Sequence, residues 1–180
     1  MTQPTTAALL ALAVAAAACS RSSGEAGASP EQIAKGTFHD AQGRRIGVAT
    51  FTHSGATPQL EVSVSQLAPG EHGFHVHAVG VCTPPDFKSA GGHLNPGDKH
   101  HGRLNPEGPH LGDLPNLMVG ADGSADTTFT VPEALLGAGE GSLFQSEGTA
   151  LVIHAEPDDY RTDPSGNSGD RIACAVIERG

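Results

Sequence analysis

No stretch of this 180-residue chain is apolar for long enough to cross a membrane. The longest, Ala7 to Ala18, has twelve small or apolar residues; as a helix it would reach about 18 Å, against a bilayer core of about 30 Å. Basic side chains are scarce: 10 Lys and Arg face 20 Asp and Glu, a formal charge of −10. Nucleic acid is thereby excluded as a partner, because its phosphates demand a basic surface. Sustained helical periodicity is missing, apart from the short piece Pro132–Leu136, and so are internal repeats. Glycine and proline, 24 and 13 residues, make about a fifth of the chain, below the level of Pro/Gly-rich disordered sequences. The length suits one domain, and a domain of about 150 residues buries roughly 70% of its unfolded surface, so it needs no metal merely to fold.

The apolar run of residues 1–19 reads as a signal peptide. The segment Val14-Ala15-Ala16-Ala17-Ala18-Cys19 resembles a bacterial lipoprotein signal, which makes Cys19 a candidate lipidation site and the mature N-terminus. Two features depart from that pattern: Met1 to Thr6 carries no Lys or Arg, and Ala16 stands where Leu is usual. Ordinary cleavage after Ala18 is the alternative. Either route implies export to the periplasm or cell envelope, with membrane attachment only through a lipid on Cys19. Residues 20–32 are small and polar and read as a flexible tether to a domain at 33–180. With Cys19 lipidated or removed, Cys82 and Cys174 remain. In an oxidising compartment such a lone pair reads as a disulfide rather than two buried thiols.

Within the domain the patterns are those of strands. Ile46, Val48, Thr50 and Thr52 alternate with Gly47, Ala49, Phe51 and His53, and Leu60, Val62 and Val64 with Glu61, Ser63 and Ser65. His53 to Pro58 between them is turn-like. Further strands are expected at 73–78, 116–121, 126–131, 149–154 and 172–177, with Asp122-Gly123 as a hairpin signal. Two long irregular stretches, about 79–115 and 155–171, are read as functional loops. The expected architecture is all-β, a sandwich or barrel with two elaborated loops.

Histidine is the abundant residue: seven of ten lie between positions 72 and 110. On a strand, residues two apart share a face, so His75 and His77 can reach one ion while Phe74 and Val76 face the core. Alone, an H-x-H is more often two surface histidines. The following loop adds His93, His101, His110 and Asp113 within 21 positions, three imidazoles and a carboxylate suited to a closed zinc site. Imidazole-only ligation on a strand also suits copper.

The blocks Gly73-Phe74-His75-Val76-His77, Ser89-Ala90-Gly91-Gly92-His93-Leu94-Asn95-Pro96, Gly108-Pro109-His110-Leu111-Gly112-Asp113-Leu114-Pro115 and Gly169-Asp170-Arg171-Ile172-Ala173-Cys174 resemble the signature blocks of Cu/Zn superoxide dismutases. They stand in the family's order from about residue 36 to 179, and the short step from His77 to Cys82 resembles the bacterial branch. The resemblance implies a Greek-key, immunoglobulin-like sandwich or barrel; this enzyme is a known sandwich fold and a known case of electrostatic steering.

The resemblance further implies that His75, His77, His93 and His154 hold copper and that His93, His101, His110 and Asp113 hold zinc, one ion of each per chain, with His93 bridging. His101 is preferred to His100 because it directly precedes Gly102. Asp158 matches an aspartate tying a copper histidine to a zinc histidine, an orienting role typical of groups behind metal ligands; the plain alternative is a loop acid beside Asp159. Arg171 matches an active-site arginine whose fixed donors suit a small anion, and Cys82–Cys174 matches the family's disulfide. The implied activity is dismutation of superoxide to oxygen and hydrogen peroxide, with Arg171 and His93 as catalytic residues. The alternative is an envelope module that binds or delivers copper with little turnover. His72 is expected to make a structural hydrogen bond, and His39 and His53 to be exposed. The oligomeric state is left open.

Overall fold

The computed structural model describes residues 31–54 and 57–180 together with Met1; the expected signal peptide, its Cys19 and all but the end of the tether lie outside the described residues. Nine strands follow in order: β1 (Glu31–Asp40), β2 (Arg45–Ser54), β3 (Thr57–Val64), β4 (Gly70–His72), β5 (Phe74–His77), β6 (Leu117–Val119), β7 (Ala125–Thr130), β8 (Ala150–His154) and β9 (Arg171–Arg179). Seven form one antiparallel sheet in the order β5-β8-β9-β1-β2-β3-β7, while β4 pairs with β6. The last strand returns beside the first, next to the β1-β2-β3 meander, which is Greek-key connectivity. The sheet curls around a core that includes Phe38, Phe51, Leu60, Phe74, Leu117, Leu151 and Ile153, all fully buried. Phe74 is central, its ring 6.3 Å from Phe38 and 5.6 Å from Phe129.

The expected strands all form, the short β4 (Gly70–His72) adds one that was not expected, and three further differences stand out. β1 was not foreseen, and begins two residues before the expected domain boundary at 33. Its inward positions are Ala34, Gly36, Phe38 and Asp40, only one of them large and apolar, so the alternation is hidden by small side chains. Gly36 is small because a β-carbon there would press on Ile177 Cδ1 at 2.9 Å. Second, the ladder between β2 and β3 runs to Ser54↔Thr57, which puts Thr57 and Pro58 in a strand rather than in the expected turn; residues 55 and 56 lie outside the described residues. Third, Asp122-Gly123 forms its turn, with the Gly120 amide donating to the Ser124 carbonyl at 2.8 Å, but not a hairpin ladder. β6 pairs with β4 and β7 with β3, so the turn is a corner between two sheets. The Pro132–Leu136 piece is a single 3₁₀ turn at Glu133–Leu135.

The two long loops lie against the outside of the sheet. A second apolar cluster of Phe87, Ala90, Ala150, Val152 and Cys174 packs the first loop onto β8 and β9. The Cys82–Cys174 disulfide fastens it there, across 92 residues of sequence. A crosslink spanning that much chain restricts the unfolded ensemble by about 4–5 kcal/mol in the loop-entropy account. Replacing both cysteines by serine is therefore expected to lower unfolding stability by several kcal/mol in urea titration, with the 79–115 loop becoming the first site of protease cleavage. Unchanged stability would show that the Phe87 cluster alone anchors the loop.

Candidate metal centre

The alternation along β5 places Phe74 and Val76 in the core and His75 and His77 on the opposite face, yet the two imidazoles are only 0% and 1% exposed. They are covered because the first loop doubles back on β5. The Leu94 amide donates to the Val76 carbonyl at 2.8 Å, the Ala78 amide to Gly92 at 2.9 Å, and the Val76 amide to Gly112 at 2.9 Å. Gly112 must be glycine here, since a β-carbon would overlap the Val76 carbonyl oxygen. These bonds set His93 opposite His77 and Asp113 opposite His75 as isolated bridges. His154 ends β8, its amide donating to the Gly73 carbonyl at 2.8 Å, and its ladder partner on β9 is Arg171.

One ligand atom from each of His75, His77, His93 and His154 lies within 4.8 Å of the others, and the same holds for His93, His101, His110 and Asp113. In the first group every outer ring nitrogen is engaged. His75 Nε2 is 3.0 Å from Asp158 Oδ2, His77 Nδ1 donates to the Gly91 carbonyl at 2.9 Å, and His154 Nδ1 faces the Gly169 carbonyl at 3.2 Å. His93 turns Nδ1 toward Asp113 Oδ1 at 2.9 Å. The inner nitrogens, Nδ1 of His75 and Nε2 of His77, His93 and His154, are buried without a partner, as is His101 Nδ1. Buried polar atoms are normally satisfied, so the four converging nitrogens of His75, His77, His93 and His154 fit a cation at their centre, while His101 Nδ1 turns to Asp113 in the second group.

The second group tests the fit more sharply. Asp113 Oδ1 stands 2.9 Å from His93 Nδ1, 3.1 Å from His101 Nδ1 and 3.2 Å from His110 Nδ1, and the His93 and His110 Nδ1 atoms are 3.3 Å apart. Around a tetrahedral zinc with bonds of about 2.0–2.1 Å, neighbouring ligand atoms stand roughly 3.3 Å apart. The donor set and the spacing both suit zinc, and His93 belongs to both groups. His100, the alternative, points outward to Asp163 and is not part of either cluster.

Asp158 joins the two groups, with Oδ2 on His75 and Oδ1 2.9 Å from His101 Nε2. The chain grips it on all sides. Tyr160 donates its amide to Oδ1 at 2.6 Å, and Asn116 accepts from the Asp158 amide at 2.9 Å while donating to its carbonyl at 3.1 Å. The Asn116 amide in turn donates to the Tyr160 hydroxyl at 2.8 Å. Neither Asn116 nor Tyr160 was singled out from the sequence: an Asn next to a strand and a Tyr in a loop carry no pattern that reveals such a clasp. His72 is buried as expected, with its ring nitrogens 2.7 Å and 2.8 Å from the His154 and Ala68 carbonyls. His39 is exposed, but His53 is only partly so, with Nε2 3.5 Å from Glu133.

Arg171 donates from Nη1 to the Phe87 carbonyl at 2.8 Å and from Nη2 to the Gly91 carbonyl at 2.7 Å. Gly91 also accepts from His77, so one backbone oxygen ties the guanidinium to the histidine pair. Arg171 and His77 face a cleft of ≈ 400 Å³, lined also by His93, His110, His154, Asn95 and Ser165. A larger hollow of ≈ 660 Å³ on the other side of Arg171, lined by Asp40, Arg44, Asp86, Lys88 and Asp170, reaches none of the histidines.

Burial pushes the imidazoles down: His75 below its ordinary value and His77 well below it, His93 to about 4 and His154 to about 3. They are therefore neutral at pH 7, the form that binds metal. His101 goes the other way. Burial lowers it, but the Asp113 and Asp158 carboxylates prevail and raise it to about 9. Burial would raise Asp113 and Asp158, yet hydrogen bonds from the surrounding histidines hold both below the usual carboxylate range.

A small curled β-barrel carrying a two-ion histidine site behind a single arginine is the class these features define. The family described as copper/zinc superoxide dismutase matches residues 45–177, and the chain belongs to it. It is 48% identical to superoxide dismutase [Cu-Zn] 1 of Aquifex aeolicus over 139 residues, covering 76% of this chain and 82% of that one. The crystal structure of a SOD-like protein from Bacillus subtilis superposes with a TM-score of 0.77 at 39% identity, covering 81% of this chain and 99% of that one. The Cu/Zn superoxide dismutase from Brucella abortus gives 0.65 at 32%, covering 82% and 100%.

The lowered histidines predict how the metal-free protein responds to acid. A group whose folded pKa lies below its unfolded value favours folding above the unfolded value, near 6.5, and loses that contribution as pH falls. For His93 the depression to about 4 corresponds to at most about 3 kcal/mol. The unfolding midpoint of metal-free protein should thus fall steadily from pH 7 to pH 4. His101 acts oppositely, its contribution being lost only as pH rises toward 9. A midpoint flat across pH 7 to 4 would contradict the buried neutral cluster.

Proposed function

We propose that this chain is an exported dismutase that converts two superoxide ions and two protons into oxygen and hydrogen peroxide. The observation that carries the reading is the set of buried, unpartnered nitrogens of His75, His77, His93 and His154, three of whose rings, His77, His93 and His154, line the same cleft as Arg171. Copper held by those four rings would supply alternating one-electron oxidation and reduction, and zinc held by His93, His101, His110 and Asp113 would fix the loop.

The chain's own residues do the rest. The Arg171 guanidinium, anchored to the Phe87 and Gly91 carbonyls, presents a permanent positive charge to a small anion entering the cleft. Its anchorage to the carbonyl that also holds His77 fixes its position relative to the histidines. His93 carries one of the two protons at Nε2, while its Nδ1 stays with the Asp113 group, and passes it to the reduced product. The other proton reaches the cleft from solvent. Asp158 keeps the His75 and His101 rings in register, so that the two groups hold their geometry during turnover.

The N-terminal sequence supports secretion through residues 1–19 and anchorage by lipid at Cys19, with residues 20–32 as tether; ordinary cleavage after Ala18 would leave a soluble envelope protein. The mass of the mature N-terminus distinguishes the two.

Metal content and dismutation are the deciding measurements. One copper and one zinc per chain with rapid turnover is expected; both metals with no turnover would leave a copper-binding module. Arg171→Ala should reduce kcat/KM by about tenfold or more while metal content stays unchanged. His93→Ala should abolish turnover and disturb both metals. Loss of copper from Arg171→Ala would refute its role as anion guide.

A further inference from the structure

Gly166 lies in the second loop, buried against the carboxylate that joins the two histidine groups. Its φ is +63°, and a β-carbon there would overlap Asp158 Oδ1, stand 2.6 Å from Asp158 Cγ and 2.8 Å from His101 Nε2. None of these neighbours can swing aside. Both Asp158 oxygens are occupied by His75, His101 and the Tyr160 amide, and Asn116 fixes the Asp158 backbone. Gly166 is held equally firmly, donating its amide to the Thr162 carbonyl at 2.6 Å and accepting from the Asp159 amide at 2.9 Å. Contact is therefore close on both sides, and it leaves no space for water between the backbone and the carboxylate.

We propose that Gly166 is a positioning residue for the metal pair: its bare α-carbon seals the Asp158 carboxylate against His75 and His101, and so sets how tightly the His101 group holds zinc. The inference rests on the metal assignment made above. Residues behind metal ligands typically change affinity by about 10–100-fold when altered, and a displaced Asp158 releases the ring of His101.

The test uses the full mature chain loaded with zinc alone, titrated with chelators of graded strength. Gly166→Ala should weaken zinc binding about 10–100-fold. Gly43→Ala is the control for backbone strain, because Gly43 has φ +75° with nothing within 4 Å of a β-carbon; its zinc affinity should match the parent. Asp158→Ala removes the carboxylate the new methyl overlaps and, with it, the hydrogen bond that keeps His101 Nε2 from moving aside, so Gly166→Ala added to Asp158→Ala should bind zinc no more weakly than Asp158→Ala alone. Full affinity in Gly166→Ala, an equal loss in Gly43→Ala, or additive losses in the double variant would each overturn the inference. If Gly166→Ala does not fold, the double variant decides: folding with the affinity of Asp158→Ala supports the contact, and failure to fold overturns it. A parent chain that binds no zinc would overturn the metal assignment itself, whereas a parent that binds zinc beside an unaffected Gly166→Ala overturns this inference alone.

Discussion

Six imidazoles meet in the interior of this protein with fewer hydrogen-bond partners than nitrogens. That shortage is the constraint on which the rest of the structure depends. Each outer nitrogen is claimed by a fixed acceptor: Asp158 for His75 and His101, the Gly91 carbonyl for His77, the Gly169 carbonyl for His154. The inner nitrogens are left to face one another. With burial holding His75, His77, His93 and His154 neutral, their inner nitrogens lose hydration without compensation. A cation among them would supply the missing partner, which couples metal binding to the stability of the fold.

Such an arrangement needs a scaffold that does not relax when the site is empty, and the scaffold is the edge of the sheet. β5 would be an exposed edge strand, a liability in any β-protein. Here the segments around Gly92–Leu94 and Gly112–Leu114 cover it by backbone hydrogen bonds, and in doing so deliver His93 and Asp113 to the face that already carries His75 and His77. Protecting the edge and assembling the ligands are one act of folding. The disulfide and the Phe87 cluster then hold the remainder of that loop on β8 and β9, where the Phe87 and Gly91 carbonyls meet Arg171.

Much of this was legible from the sequence where period and chemistry coincide. Alternation gave the faces of β3 and β5, and the H-x-H on β5 followed from the same period of two; on β2 it did not, because the core takes Ala49 and Phe51 together with Ile46 from the other set. His101 was separable from His100 by its place before Gly102, and the structure puts the first at 0% exposure and the second on the surface. β1 was invisible because Ala34 and Gly36 occupy inward positions, where close packing against β9 requires small side chains. The Asp122-Gly123 turn was correctly placed but its partners were not, since turn chemistry fixes a reversal of direction and tertiary packing decides which strands then pair. Asn116, Tyr160 and Gly166 were missed for a different reason: Asn116 reaches the backbone of a loop 42 residues away, and Tyr160 and Gly166 meet the Asp158 carboxylate through the irregular fold of their own loop, which no periodicity encodes.

The charge of the chain takes on a different meaning once the cleft is considered. A formal −10 would repel a small anion if it were spread evenly. Among the described residues, however, no carboxylate lines the cleft that opens on the histidines, whereas Arg171 does. Asp113 and Asp158 are close by but turned inward, hydrogen-bonded to the rings they support. The exposed carboxylates of Asp163 and Asp170 flank the lining residues Pro164, Gly169 and Arg171 without entering the cleft, and at physiological salt the fields of more distant ones decay within about 8 Å. Inside the cleft the one charged side chain an entering anion meets is the guanidinium, together with whatever cations the imidazoles hold. The acidic exterior keeps large polyanions away without closing the site to a diatomic one.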